Sequence, residues 1–102
     1  MTLAFSPVYI KMINLEKKKV IGIEIELPDA PPLILIRGDK GFVMCGYLNI
    51  DVAEKLGILA IRVSGVKNID EMLEKTISEV TTKAMELGIK PGMKVKDILP
   101  FL

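Results

Sequence analysis

Apolar and polar positions alternate with period two along Val20-Ile-Gly-Ile-Glu-Ile-Glu-Leu27. This alternation predicts a strand with Ile21, Ile23, Ile25 and Leu27 on one face and Glu24 and Glu26 toward solvent. Pro7-Val-Tyr-Ile-Lys-Met-Ile13 reads as a preceding strand, and the short polar stretch Asn14-Leu-Glu-Lys-Lys-Lys19 predicts an antiparallel hairpin between them. The lysines there read as a solvated loop. Pro28-Asp-Ala-Pro-Pro32 is a break, because proline fixes its own φ, lacks a ladder donor and restricts its predecessor; a third strand is expected only after it.

Leu33-Ile-Leu-Ile36 and Phe42-Val-Met-Cys-Gly-Tyr-Leu48 are apolar without clean alternation. Such runs suit strands covered on both faces, near the centre of a sheet. Arg37-Gly-Asp-Lys-Gly41 is the turn between them. Its Arg-Gly-Asp tripeptide matches an integrin-binding motif, but in a chain with no secretory pattern or disulfide it reads as a hairpin turn. Asn49 to Gly57 has the pattern of a short helix, with Asn49 or Asp51 as N-cap and Gly57 at the stop. Ile58 to Ser64 follows as a fifth strand. The short helical connection is close to the minimum for a parallel crossover, so the sheet is expected to be mixed.

Asn68 predicts the N-cap of a long helix, with Asp70 and Glu71 at the positive end of its dipole. Ile69, Met72, Leu73, Ile77, Val80, Thr81, Ala84 and Leu87 recur at three- and four-residue steps, which predicts one continuous helix across a sheet face. Glu54-Lys-Leu-Gly-Ile58 and Glu86-Leu-Gly-Ile89 carry the same stop signal: a glycine for the left-handed position, then an isoleucine that folds back on the last turn. After Pro91-Gly92, Met93 to Leu99 predicts one or two helical turns, stopped by Pro100. The fold class is therefore α/β (α+β), one domain over residues 1–102. Its sheet is mixed and mostly antiparallel, of about five strands, with one long and one short helix on it.

Composition narrows the chemistry. The chain has 102 residues, 50% hydrophobic and 26% charged, with a net charge of +1, which disfavours both disorder and a basic nucleic-acid surface. A single cysteine rules out an internal disulfide, and no basic segment followed by an apolar one opens the chain as a secretory signal would. A cytoplasmic location is expected. No apolar run approaches the roughly 20 residues a membrane-spanning helix needs. Isoleucine, lysine and glutamate are abundant and glutamine is absent, a bias of the kind found in thermophile proteins. The absence of histidine removes Ser-His and Cys-His pairs, imidazole bases and the common zinc sets. No metal or cofactor is expected.

Lys40-Gly-Phe-Val-Met-Cys-Gly-Tyr-Leu-Asn49, Ala53-Glu-Lys-Leu-Gly57, Gly65-Val-Lys67 and the segment from Glu86 to Met93 together resemble the YunC-like family of small domains of unknown function. The resemblance spans nearly the whole chain. It implies a small α/β domain and self-association, and brings no activity, substrate or catalytic residue.

Two placements of chemistry follow from the residues themselves. With the fourth and fifth strands parallel, their carboxyl ends bring Tyr47 and Asn49 beside Arg62, Ser64, Gly65 and Lys67. In open α/β sheets that edge is where ligands tend to bind, and unpaired helix N–H groups with the positive end of the dipole favour a small anionic ligand. Without a glycine-rich phosphate fingerprint, the same residues also read as caps and turns alone. Cys45 is a weak nucleophile candidate, with Tyr47 two residues on and expected on the same face of the strand. Against it stand its apolar neighbours Val43 and Met44 and the want of a histidine base. No pair of carboxylates is spaced for acid and base work, and the six methionines read as core. Two classes remain: a ligand-binding domain acting as an oligomer, and an enzyme with its site around Cys45, Tyr47 and Arg62. A homo-oligomer is expected because a sheet apolar on both faces has too few helices to cover it.

Overall fold

The computed structural model describes residues 7–102. Six strands form a single sheet in chain order: β1 (Val8–Asn14), β2 (Lys19–Leu27), β3 (Ala30–Arg37), β4 (Gly41–Met44), β5 (Leu59–Arg62) and β6 (Glu79–Val80). All neighbours are antiparallel except β4 and β5, which pair in parallel through the crossover helix α1 (Ile50–Lys55). Three further helices, α2 (Ile69–Glu74), α3 (Thr82–Glu86) and α4 (Val95–Ile98), and a 3-10 turn (Leu99–Phe101) complete the domain. The mixed α+β architecture and the central place of β3 and β4 agree with the sequence pattern; the sheet has six strands where about five are expected.

The sixth strand comes from the segment expected to be a continuous helix. α2 stops at Lys75, whose ψ of 150° is extended, and the chain then pairs Thr76 with Lys94 and runs β6 along β5 before α3 begins. Thr76, Ile77, Val80, Thr81 and Thr82 are β-branched, so helix costs them χ1 freedom that a sheet edge does not. The apolar stripe still marks what is inside: Ile69, Met72, Ile77, Thr81 and Ala84 are buried, whereas Leu87 is exposed. Periodicity was reporting burial, and three short elements satisfy it as well as one long helix.

Local signals at the helix ends hold. Asn49 Oδ1 accepts from Asp51 N at 2.8 Å, and Asn68 Oδ1 accepts from Glu71 N at 2.7 Å. α1 and α3 close identically, with Gly57 and Gly88 at φ +70° and +90°. Ile58 N then donates to Ala53 O and Ile89 N to Ala84 O, as in a Schellman motif. α4 and the 3-10 turn match the expected helical turns after Pro91-Gly92, except that Pro100 lies within the last turn.

The proline segment departs from expectation. β3 starts at Ala30, so Pro31 and Pro32 lie in the strand. Leu27 opposes Ala30 and Ile25 opposes Leu33, leaving both prolines at a bulge, where neither has to donate to the ladder. β4 pairs only as far as Leu35, so this part of β3 has no neighbour on its other side among the described strands.

The two sheet faces differ. One carries Val20, Ile34, Ile36, Val43, Ile61 and Val63, all buried under α2, α3, α4 and the C-terminal turn. Gly22 lies on this face, and a Cβ there would sit 2.9 Å from Ile69, so the missing side chain is what lets α2 approach. Glu24, expected in solvent, instead accepts from Ile69 N at 2.7 Å and caps α2. Burying a side chain such as Ile69 or Met72 contributes roughly 1.5–3 kcal/mol, which is what holds so short a helix in place. The opposite face is covered by α1 only over Met44, Ala60, Leu35 and Phe42.

Candidate functional site

β4 ends at Met44, and the chain then turns through Cys45-Gly-Tyr-Leu48 into the N-cap Asn49. Leu48 N closes the turn on Cys45 O at 3.3 Å. Beside it Val63 N donates to Met44 O at 3.0 Å, carrying the parallel pairing one step beyond β5. The carboxyl ends of β4 and β5 are therefore neighbours, as the crossover predicts.

Two hollows flank this turn and share Gly46 and Tyr47. The first, of about 310 Å³, has mainly apolar walls: Pro31, Pro32, Cys45, Tyr47 and Val66, with Gly65 at its edge. The second, of about 380 Å³, is polar and is bordered by Asn49, Asp51, Arg62 and Glu79. A Cβ on Gly46 would meet nothing nearer than the Arg62 guanidinium at 3.8 Å, so no side chain stands between the turn and that cation.

Tyr47 is half exposed and donates its hydroxyl to Pro31 O at 2.6 Å, fixing the ring between the hollows. Arg62 is ion-paired with Glu79, its cross-strand partner on β6. The polar hollow thus holds one cation against two carboxylates, Asp51 and Glu79. Lys67 lies apart, with Glu24, Glu26 and Pro32 around a third depression of about 290 Å³. Ser64 is exposed and borders neither hollow, and Gly65 turns the chain at φ +71°.

Cys45 is 3% exposed and packs with the helix-covered core, its Sγ accepting from Ile34 N at 3.5 Å. Because the strand ends before it, Cys45 and Tyr47 do not share a strand face: one points into the core and the other stands at the surface. Lys40 precedes the first residue of β4, at the far end of the strand from the thiol. Among the described residues no group of three metal-ligating side chains converges. Also among them, no helix is long and apolar enough to cross a membrane.

Pro31, Pro32, Asp51 and Glu79 also line the hollows, a role their sequence context does not signal. Glu79 was hidden by the helix expected there, since it reaches Arg62 only as a residue of β6. The prolines mark a boundary in the sequence and form a wall in the structure.

The model of a family described as a domain of unknown function (DUF1805) matches residues 44–102, more than half of the chain. The chain belongs to this family. It is 35% identical over 91 residues to the uncharacterized protein YunC of Bacillus subtilis (strain 168), covering 85% of this chain and 89% of that protein. The crystal structure of TA1206, a protein of unknown function from Thermoplasma acidophilum, superposes with a TM-score of 0.85 at 33% identity, over 98% of this chain and 99% of that one. The resemblance to YunC in the central segment is thus one of family, and the fold is shared along almost the whole length. Neither relative carries a named activity.

Proposed function

We propose that this DUF1805 domain binds a small ligand at the carboxyl ends of β4 and β5, with an apolar body against Tyr47 and an anionic group reaching Arg62. One observation carries the reading: the apolar and polar hollows share Gly46 and Tyr47, and the polar one is lined by Arg62, whose guanidinium a Cβ on Gly46 would meet at 3.8 Å. An apolar cavity with a few convergent polar groups is the usual form of a small-molecule site. The anion displaces Glu79 from Arg62, so the ligand exchanges one ion pair for another and gains the apolar contact in addition. A ligand that is only a charge, with no apolar part, gains little.

Thermal shift measurements against aromatic and aliphatic carboxylates and phosphates test this. Arylcarboxylates raise the melting temperature more than inorganic phosphate does, and Arg62→Gln removes the difference. No shift from any of them at millimolar concentration would falsify the proposal.

The enzymatic alternative around Cys45 has less behind it. The thiol is buried, accepts a hydrogen bond from backbone and has no neighbouring base. Iodoacetamide leaves Cys45 unmodified in the folded protein; rapid alkylation would revive that alternative.

A further inference from the structure

The alternation that opens the sequence places Ile21, Ile23 and Ile25 of β2 on the sheet face away from the helices. The register adds Ile10 and Met12 of β1 and Leu33 of β3 to the same face, since Ile10 opposes Ile23, Met12 opposes Ile21 and Leu33 opposes Ile25. Ile10 is 64% and Met12 53% exposed, and the other four are partly exposed. Leu33 also touches the helix-covered core, but no described element lies over the other five: α1 reaches only as far as Leu35. The six are all aliphatic, with no charge among them. Contiguous apolar surface of this extent matches the largest patch a typical monomer exposes, and such patches often serve an interaction.

We infer that this face of β1, β2 and β3 is buried against the same face of a second copy, in a twofold dimer whose facing strands run antiparallel. Three features select that occupant. The first is self-match: an uncharged aliphatic face is complementary to itself, and a twofold axis near Ile23 sets isoleucine against isoleucine. The second is charge. Lys19 and Arg37 share this face at the end where β1 turns into β2, while the exposed Asp29 lies in the β2–β3 turn at the other end, so antiparallel stacking brings each basic end to the partner's acidic turn. The third is area. The six side chains, together with the exposed Lys19 and Arg37 on the same face, offer on the order of 500 Å² per copy, or roughly 1,000 Å² for the pair, the lower bound for a specific interface. Two such sheets pack about 10 Å apart with their strands nearly aligned, as in a sandwich.

Sedimentation velocity from about 5 to 500 µM tests the inference, a range suited to an interface of this size. The expected result is a concentration-dependent species of twice the 11.3 kDa chain mass. Ile10→Glu raises the dimer dissociation constant by roughly tenfold or more, because it leaves a charge in the centre of an apolar contact. Leu56→Glu, on the outer side of α1 where Leu56 is 67% exposed, leaves it unchanged. Met12→Lys serves as a second disrupting variant if Ile10→Glu loses its native circular dichroism. Arg37→Gln and Asp29→Asn each weaken the dimer by roughly two- to fivefold, and the double variant is no weaker than either alone, since both remove the same contact. A monomer at all concentrations overturns the dimer. Loss of dimer in Leu56→Glu but not in Ile10→Glu or Met12→Lys overturns this face, and additive losses in the charge variants overturn the antiparallel arrangement.

Discussion

The half of the sheet around β4 and β5 and the half around β1 and β2 are built from similar aliphatic residues, yet they end in different states. On the face away from α2, Met44 and Ala60 lie at 2% and 0% exposure under α1, whereas Ile10 and Met12 stand more than half exposed. The difference lies in what covers them. α1 and α3 lie against β5, and α2 reaches β2 and β3 from one side only, so the β1–β3 arm has a single roof. The same isoleucine is thus part of a finished core in one half and of an unfinished one in the other. The finished half places the candidate ligand hollows; the unfinished half leaves open the surface proposed for a second copy.

The largest expected contrast comes from truncating one isoleucine in each half. Ile61→Ala removes packing in a filled core and costs about 2–5 kcal/mol. Ile10→Ala, measured by urea unfolding at low micromolar concentration, costs within about 0.5 kcal/mol, as an exposed position does. Equal losses at the two sites would show that the β1–β3 face is covered within the monomer.

Thr81 gives the next effect. It is buried at 1% exposure, donates to Ile58 O at 2.7 Å and accepts from Ala60 N at 3.2 Å, serving the edge of β5 where β6 has ended. Thr81→Val keeps the shape and leaves the Ala60 N–H buried without that partner, at a cost of about 1–3 kcal/mol. A neutral result in chemical denaturation would mean that the edge relaxes enough to rehydrate.

Legibility followed the same division. Helix caps, glycine stops, hairpins and the parallel crossover were readable because each depends on a few adjacent residues: Asn49, Asn68, Gly57 and Gly88 behave as their local chemistry requires. The break after Glu74 was not, because an amphipathic stripe records which residues face the core and only the β-branched cluster from Thr76 to Thr82 hints that the backbone is extended. Of the candidate site, Tyr47, Asn49 and Arg62 were legible from strand order. Glu79 and the prolines were not, since one needed β6 and the others needed the bulge. The grouping of Ile21, Ile23 and Ile25 on one face of β2 holds, but the solvent side does not: Val20, Gly22 and Glu24 face α2, because alternation cannot say which side meets a helix of its own chain.

The smallest effect concerns how the finished half closes on itself. Thr82 donates through both its hydroxyl, at 2.6 Å, and its backbone N–H, at 2.9 Å, to the Glu54 carboxylate, tying α1 to the start of α3. The hydroxyl hydrogen bond and then the backbone one hold the Glu54 carboxyl below its ordinary value. A lowered folded-state value means that the stabilisation is fully present above the ordinary glutamate range and is lost as pH falls through the folded value. Urea midpoints taken from neutral pH down to about pH 3 therefore decline less steeply at the acid end in Glu54→Gln than in the wild type. Parallel curves would show that this contact is solvated and without effect. No corresponding tie between helices exists over the β1–β3 face among the described residues.

The most direct measurement of the central claim, that the open half of the sheet is completed by a second copy, is the melting temperature as a function of protein concentration. Binding that exists only in the folded state makes the melting temperature rise with concentration. Such a rise is expected across about two decades of concentration, and it disappears in Ile10→Glu. A melting temperature independent of concentration in the wild type, or a rise that survives in Ile10→Glu, would contradict it.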